Sequence, residues 1–396
     1  MKTGFRLLIT CCCLVLAGCA TQAKLPPMPS SADLYHDADF AQPSRPVNAD
    51  QLFTLSPAME AYLKSPGFQN HTRNAGQQRG LFNALYTSGE LKLDYDSTYT
   101  RNAAETFAAR KGNCLSLVIM TAAFARAMGL NPYFQQALID QQWSREGSLY
   151  IASTHVNLRL ANRPIRDGTV DLAERSLTVD FLPPEDSKWY PTLPLDEATI
   201  VAMYMNNRAA EELARNRLNE AYWWARAAIE QSPSFISAYN TLGVVYFSHG
   251  DIAAAEKVYQ RALQRSPEDT TLMRNLLPVL ARLGKTSEAS ALTTRLASIE
   301  PTPPFHFFQL GMKAMEAGRY AEARSQFARE VQRSPYYHEF HFWLAMAHWQ
   351  LGEAGSARNQ MSLAVDTSTT AEGAKRYSSK LDYLRSLSAA GARKAW

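Results

Sequence analysis

Three short stretches hold side chains that could do chemistry together. Gly112-Asn113-Cys114 stands at the opening of an apolar run over residues 115–128. A thiol in the first turn of a helix sees unpaired N–H groups and a partial positive charge, which favour the nucleophilic thiolate. The N–H of Cys114 is itself one of those unpaired donors and is available to an oxyanion. Residues 154–160 alternate, with Val156, Leu158 and Leu160 on one side and His155, Asn157 and Arg159 on the other. Residues 177–181 alternate too and place Asp180 on their polar side. With those two strands side by side, Asp180 would orient the imidazole of His155, and His155 would take the proton of Cys114. Asp167, Asp171 and Asp186 lie nearby and compete with Asp180 for the third role.

These residues need elements to position them. Asn102 with Glu105 three positions on is a capping box, which predicts a short helix ending at Gly112. Asn113 then caps a second helix that starts at Cys114 and is apolar on nearly every side, so it belongs in the middle of a domain. Gly129 and Pro132 end it, and strand-like stretches follow at residues 133–139, 149–160 and 176–181. Upstream, Ser56-Pro57 opens one helix and residues 77–86 predict another. A buried helix followed by several strands is an α+β pattern.

The ordered set resembles the transglutaminase-like superfamily of papain-like cysteine enzymes. The matching pieces are Thr106-Phe107 through Gly112-Asn113-Cys114-Leu115-Ser116-Leu117, then His155-Val156-Asn157, then Val179-Asp180-Phe181, together spanning residues 95–185. The resemblance implies a papain-like α+β core over residues 50–200. It also implies Cys114 as nucleophile, His155 as general base and acid, and Asp180 as the orienting acid. Eukaryotic members carry an aromatic residue where Asn157 stands, so hydrolysis and transfer to an amine both stay open. The second oxyanion donor is not identified; Trp143 and Tyr99 are its only candidates.

Beyond residue 200 the period changes. Pro233, Pro267, Pro301 and Pro335 are spaced by 34 residues, as are Gly250, Gly284, Gly318 and Gly352, and Ala221, Ala255, Ala289, Ala323 and Ala357. Thirty-four is the tetratricopeptide (TPR) period, so residues 201–371 are expected to form five repeats of an all-α solenoid, starting near 202, 236, 270, 304 and 338. Residues 372–396 would be the polar capping helix that stacked repeats require. In this repeat family, positions two, five, nine and twelve line the inner curve. That places Phe305, Phe308, Met312, Phe342, Met346 and Trp349 in an apolar groove expected to bind a protein partner. His341 and His348 fall where Tyr239 and Tyr246 stand in the second repeat, so with His338 they are expected to pack and not to hold a metal.

The first residues are not part of the fold. A basic start at Lys2 and Arg6, then a short apolar run, read as a secretory signal over residues 1–18. The run ends in Leu16-Ala17-Gly18-Cys19, which resembles a bacterial lipobox and implies lipidation of Cys19. Ala20 stands where an aspartate would retain the protein at the inner membrane, so an outer-membrane anchor facing the periplasm is expected. Residues 19–49, with Pro26, Pro27, Pro29, Pro43 and Pro46, read as an extended tether. Of five cysteines, the mature chain would keep only Cys114 as a free thiol in an oxidising compartment.

A net charge of +4 spread over 396 residues gives no basis for nucleic-acid binding, and no Walker, dinucleotide or zinc spacing is present. The expected function is a Cys-His-Asp thiol hydrolase, a peptidase or amidase without cofactor, whose TPR module recruits a protein or peptide. The alternatives are a non-catalytic scaffold with a degenerate enzyme fold, and a cross-linking transglutaminase.

Overall fold

The computed structural model describes residues 30–87, 91, 93–146, 149–161, 176–181, 190–368 and 371–394. The expected signal segment over residues 1–18, the expected lipidation site Cys19, and Asp167, Asp171 and Asp186 lie outside the described residues.

Serine–proline pairs open the first two helices. Ser56 accepts from the N–H of Met59 at the start of α1 (Pro57–Lys64), and Ser65 accepts from Phe68 at the start of α2 (Pro66–Ala75), each at 3.3 Å. α3 (Gln77–Phe82) widens into a single π-type turn over Asn83–Thr87. A two-residue strand β1 (Asp94–Tyr95) comes next. It pairs in parallel with β2 (Lys111–Gly112), which lies beyond α4 (Ala103–Ala109). The Asn102–Glu105 capping box forms in full, but α4 stops at Ala109, because Arg110 takes a left-handed φ of 53°.

α5 (Cys114–Ala127) buries every residue from Leu115 to Ala125. It lies against a four-stranded antiparallel sheet of β3 (Asn131–Glu146), β4 (Leu149–Ala161), β5 (Ser176–Val179) and β6 (Thr192–Leu195), ordered β5-β4-β3-β6. Between His155 and Ala161 only Arg159 is not fully buried, so the alternation of β4 does not separate core from solvent; both faces are covered.

β6 leads straight into α6 (Glu197–Ala214), which Asp196 caps through the N–H of Thr199 at 2.7 Å. A boundary at residue 200 therefore falls inside a helix. α6 pairs with α7 (Leu218–Gln231), and four more hairpins follow: α8 (Ile236–His249) with α9 (Ile252–Arg265), α10 (Thr270–Arg282) with α11 (Thr286–Ile299), α12 (His306–Glu316) with α13 (Tyr320–Arg333), and α14 (His338–Gln350) with α15 (Ala354–Asp366). α16 (Ala371–Lys394) packs on α15.

The 34-residue pattern has visible physical causes. Gly250, Gly284, Gly318 and Gly352 all turn between paired helices with φ between 70° and 99°, and Asn216 takes φ 57° at the same register of the first repeat. Gly243 is required by contact: a Cβ there would sit 2.5 Å from the ring of Tyr259. Two repeats later, Gly311 faces Phe327 in the same way.

The solenoid is not evenly stacked. One core runs from the α+β part through the first three repeats; a second joins α12, α13 and α14, and a third joins α14 and α15 to α16. On α11 only Leu296 is buried. Pro301, Pro303 and Pro304 separate it from α12, which starts two residues later than the repeat phase, at His306.

That late start corrects the expected partner groove. Phe305 precedes α12 with φ 60° and turns inward against Phe308, Tyr337 and Phe340, and Phe308 packs on Phe327 and Phe340. They are 3% and 5% exposed and are core. Met312 packs against the same cluster. Phe342, Met346 and Trp349 pack with Tyr377, Leu381 and Leu384 of α16, with the rings of Phe342 and Tyr377 5.4 Å apart. The capping helix thus packs on Phe342, Met346 and Trp349, while the α12–α14 core takes Phe305, Phe308 and Met312, so the repeat phase's open groove is not there.

The expected tether is also different where it is described. Residues 30–44 lie on the repeats, with two short 3₁₀ turns at Ala32–Leu34 and Asp37–Asp39, and with Leu34 and Phe40 buried.

Candidate active site

Cys114 is the first residue of α5. Its cap, Asn113, accepts from the N–H of Ser116 at 2.9 Å and from the Ser116 hydroxyl at 2.8 Å. The other end of the Asn113 amide donates to Thr100 Oγ1 at 2.9 Å. Thr100 Oγ1 also accepts from Asn207 of α6 at 3.2 Å, and the N–H of Thr100 donates to Glu211 of α6 at 2.6 Å. The first solenoid helix thus braces the turn that carries the thiol. Burial raises the carboxyl pKa of Glu211 against these bonds and the charge of Arg208.

The approach to the thiol is equally fixed. Gly112 pairs with Tyr95 across the β1–β2 bridge, and a Cβ at Gly112 would meet Ser116 Cβ at 2.7 Å. The N–H of Asp96 donates to the Gly112 carbonyl at 3.1 Å, and its carboxylate holds Arg101 at 3.0 Å and Lys111 at 3.2 Å. Burial alone would raise the pKa of Asp96; the hydrogen bonds of Thr98, Lys111 and Arg101 outweigh it and bring it down to about 2.

β4 and β5 are neighbours, with Leu158 opposite Val179, so Asp180 emerges beside Asn157 and one alternation from His155. His155 Nε2 lies 2.5 Å from Asp180 Oδ1. The second oxygen of Asp180 accepts from Asn157 Nδ2 at 2.7 Å and from the hydroxyl of Tyr190. Cys114 lies beside the same imidazole; with Nε2 taken by Asp180, Nδ1 is the ring nitrogen left for the thiol. Burial pulls the imidazole pKa down, but Asp180 and Cys114 together raise it to about 9.

The structure therefore brings Cys114, His155 and Asp180 together, with His155 hydrogen-bonded to Asp180 and beside Cys114. The roles of Asn157 and Tyr190 in holding that pair are not readable in the sequence. Tyr190 follows a stretch with no alternation to place it, and Asn157 gives no more signal than any polar strand residue. Tyr99 is covered by the Arg208 guanidinium, 3.9 Å over its ring, and the side chain of Trp143 lies outside the described residues.

The solenoid histidines have separate partners. His341 Nε2 reaches the Pro335 carbonyl at 2.6 Å, the same contact that Tyr239 makes to Pro233 at 3.0 Å. His338 bonds the Tyr377 hydroxyl at 2.8 Å, and His348 bonds Glu353.

The tetratricopeptide repeat family matches residues 236–269 and 308–371, the second repeat and most of the last two. The solenoid is thus a TPR array. No curated protein sequence matches the chain. Among solved structures it is similar to YrrB, described as a TPR protein with an unusual peptide-binding site, at 23% identity, over 45% of this chain and 92% of that one, with a TM-score of 0.25. It is also similar to MamA from Desulfovibrio magneticus RS-1, at 14% identity, over 43% of this chain and 96% of that one, with a TM-score of 0.26.

Proposed function

We propose that residues 50–200 are a papain-like, transglutaminase-like thiol hydrolase that cleaves peptide or amide bonds, and that the TPR module recruits its protein substrate or partner. The observation that carries this reading is the chain Asp180–His155–Cys114 at the capped N-terminus of a buried helix. In the reaction, the Cys114 proton passes to His155 Nδ1 and the sulfur attacks the carbonyl carbon. The developing oxyanion takes the free N–H of Cys114. The imidazolium, held by Asp180, returns the proton to the leaving amine as the C–N bond breaks. Water, deprotonated by His155, then cleaves the thioester and releases the acid. An amine in place of water would give transfer.

For the anchor, the reading is a lipid on Cys19 at the outer membrane, facing the periplasm. Among the described residues no helix is long and apolar enough to cross a membrane. From Cys19 to Ser31, twelve residues reach about 40 Å at most, so the first two repeats would stay near the membrane.

The test is turnover of a mixed peptide library by the purified chain, with and without a primary amine, against Cys114→Ala. Cys114-dependent release of new amino termini supports the hydrolase. Amine incorporation alone indicates a transferase, and no difference from Cys114→Ala leaves a scaffold.

A further inference from the structure

The segment Ser31–Ser44 is docked as a peptide is docked. α7 and α9 flank a groove whose floor is the hydroxyl tips of Tyr222, Tyr239 and Tyr246. Tyr246 donates to the Leu34 carbonyl at 2.6 Å, and the N–H of His36 donates to Tyr222 at 3.0 Å and to Tyr246 at 3.1 Å. Farther along, Asn219 takes the N–H of Ala41 at 3.1 Å, Trp223 donates to the Ala41 carbonyl at 2.8 Å, and Glu220 takes the N–H of Ser44 at 2.9 Å. Side chains of the repeats thus read the main chain of the arm, which is how an extended ligand is recognised.

The arm's side chains add a specific pattern. Phe40 stacks flat on Tyr222 with ring centroids 4.0 Å apart, and Leu34 is 1% exposed. Asp33 pairs with Arg261 at 2.9 Å and Lys257 at 3.1 Å, Asp37 with Arg226 at 3.1 Å, and His36 with Asp251 at 2.8 Å. The same positions in the third repeat are Met273 and Leu280, which offer no hydroxyl floor, so the groove ends with the second repeat.

We propose that this groove is a peptide-recognition site of the solenoid, that residues 31–44 are its resident ligand in cis, and that it takes in trans an acidic peptide of the same chemistry. That chemistry is an aspartate before a buried leucine, then histidine–aspartate, then an aromatic ring. A partner presenting it competes with the arm and lifts the arm off the repeats. The proposal stands on the solenoid alone and is independent of the thiol chemistry.

The experiment uses the full chain in detergent, with a protease site inserted after Pro46, in the exposed stretch that joins the arm to α1. A fluorescent synthetic peptide of residues 30–45 is titrated before and after cleavage. The expected result is saturable binding to the cleaved chain with helix content unchanged, and little binding to the uncleaved chain. Arg261→Ala with Tyr246→Phe should weaken that binding by about ten-fold or more, as should Phe40→Ala in the peptide. Loss of helix content on cleavage would make the arm an inseparable part of the core and overturn the proposal. A folded, cleaved chain that ignores the peptide would overturn it too, as would equal binding before and after cleavage.

Discussion

Replacing Asp180 by asparagine should cost less than the bare sequence Cys114–His155–Asp180 suggests, and the reason lies in Asn157. Asp180 gives one oxygen to His155 and the other to Asn157 and Tyr190. In Asp180→Asn the side chain keeps one oxygen and turns an NH₂ toward two donors. Asn157 Oδ1, however, is buried without a partner among the described residues. Turning that amide over gives the new NH₂ an acceptor, and the Tyr190 oxygen gives another. The introduced amide can then leave its oxygen on His155 Nε2, so Nδ1 still faces the thiol. On the His155 side only the charge is lost. A hydrogen bond to a charged group is worth about 1.5–3 kcal/mol and a neutral one about 0.5–1.5, so the difference of about 1–1.5 kcal/mol is roughly ten-fold in rate. Asp180→Ala removes the acceptor and should cost the whole about 1.5–3 kcal/mol, up to roughly 150-fold. The assay is the second-order rate of Cys114 alkylation by iodoacetamide between about pH 6 and 9, where a thiol of ordinary pKa near 8.5 is only partly ionised. In an Asn157→Leu background, Asp180→Asn should fall to the level of Asp180→Ala. If it does not, or if Asp180→Ala leaves the rate unchanged, the hydrogen-bond reasoning is wrong.

The pKa of His155 is raised from 6.5 to about 9, so its stabilising effect is whole below pH 6.5 and lost as pH rises through 9. Urea unfolding should show a loss of up to about 3 kcal/mol across that window, absent in His155→Ala. Gly243→Ala drives a Cβ to 2.5 Å from the Tyr259 ring and should destabilise by about 1–3 kcal/mol in a thermal melt. Gly355→Ala, with nothing within 4 Å of its Cβ, should be neutral or slightly stabilising.

Where the sequence is legible, a local rule and the tertiary structure agree. Asn102 and Glu105, Ser56 and Pro57, and the four turn glycines each mark an element end with their own side chain or φ, and each stands where the local rule puts it. The proximity of His155 and Asp180 is legible because two alternating strands fix which residues share a face. Other features have signals that are masked. Ser65-Pro66 opens α2 as Ser56-Pro57 opens α1, but the polar run after it hides the helix. β6 contains Pro194, which reads as a break; the strand tolerates it because β6 is at the sheet edge. Phe305 and Phe308 depart from the repeat phase because that phase assumes an unbroken first turn, and Pro303-Pro304 removes it. The docking of residues 30–44 depends on tyrosines about two hundred residues away, and no local pattern records it.

Whether Cys114 is a nucleophile activated by His155 is settled most directly by labelling the purified chain with an electrophilic thiol probe at neutral pH and mapping the modified residue by mass spectrometry. Fast modification of Cys114 is expected in the unaltered chain, with a fall to the rate of an ordinary exposed thiol in His155→Ala while the fold stays intact. Equal, slow labelling of both chains would contradict that activation.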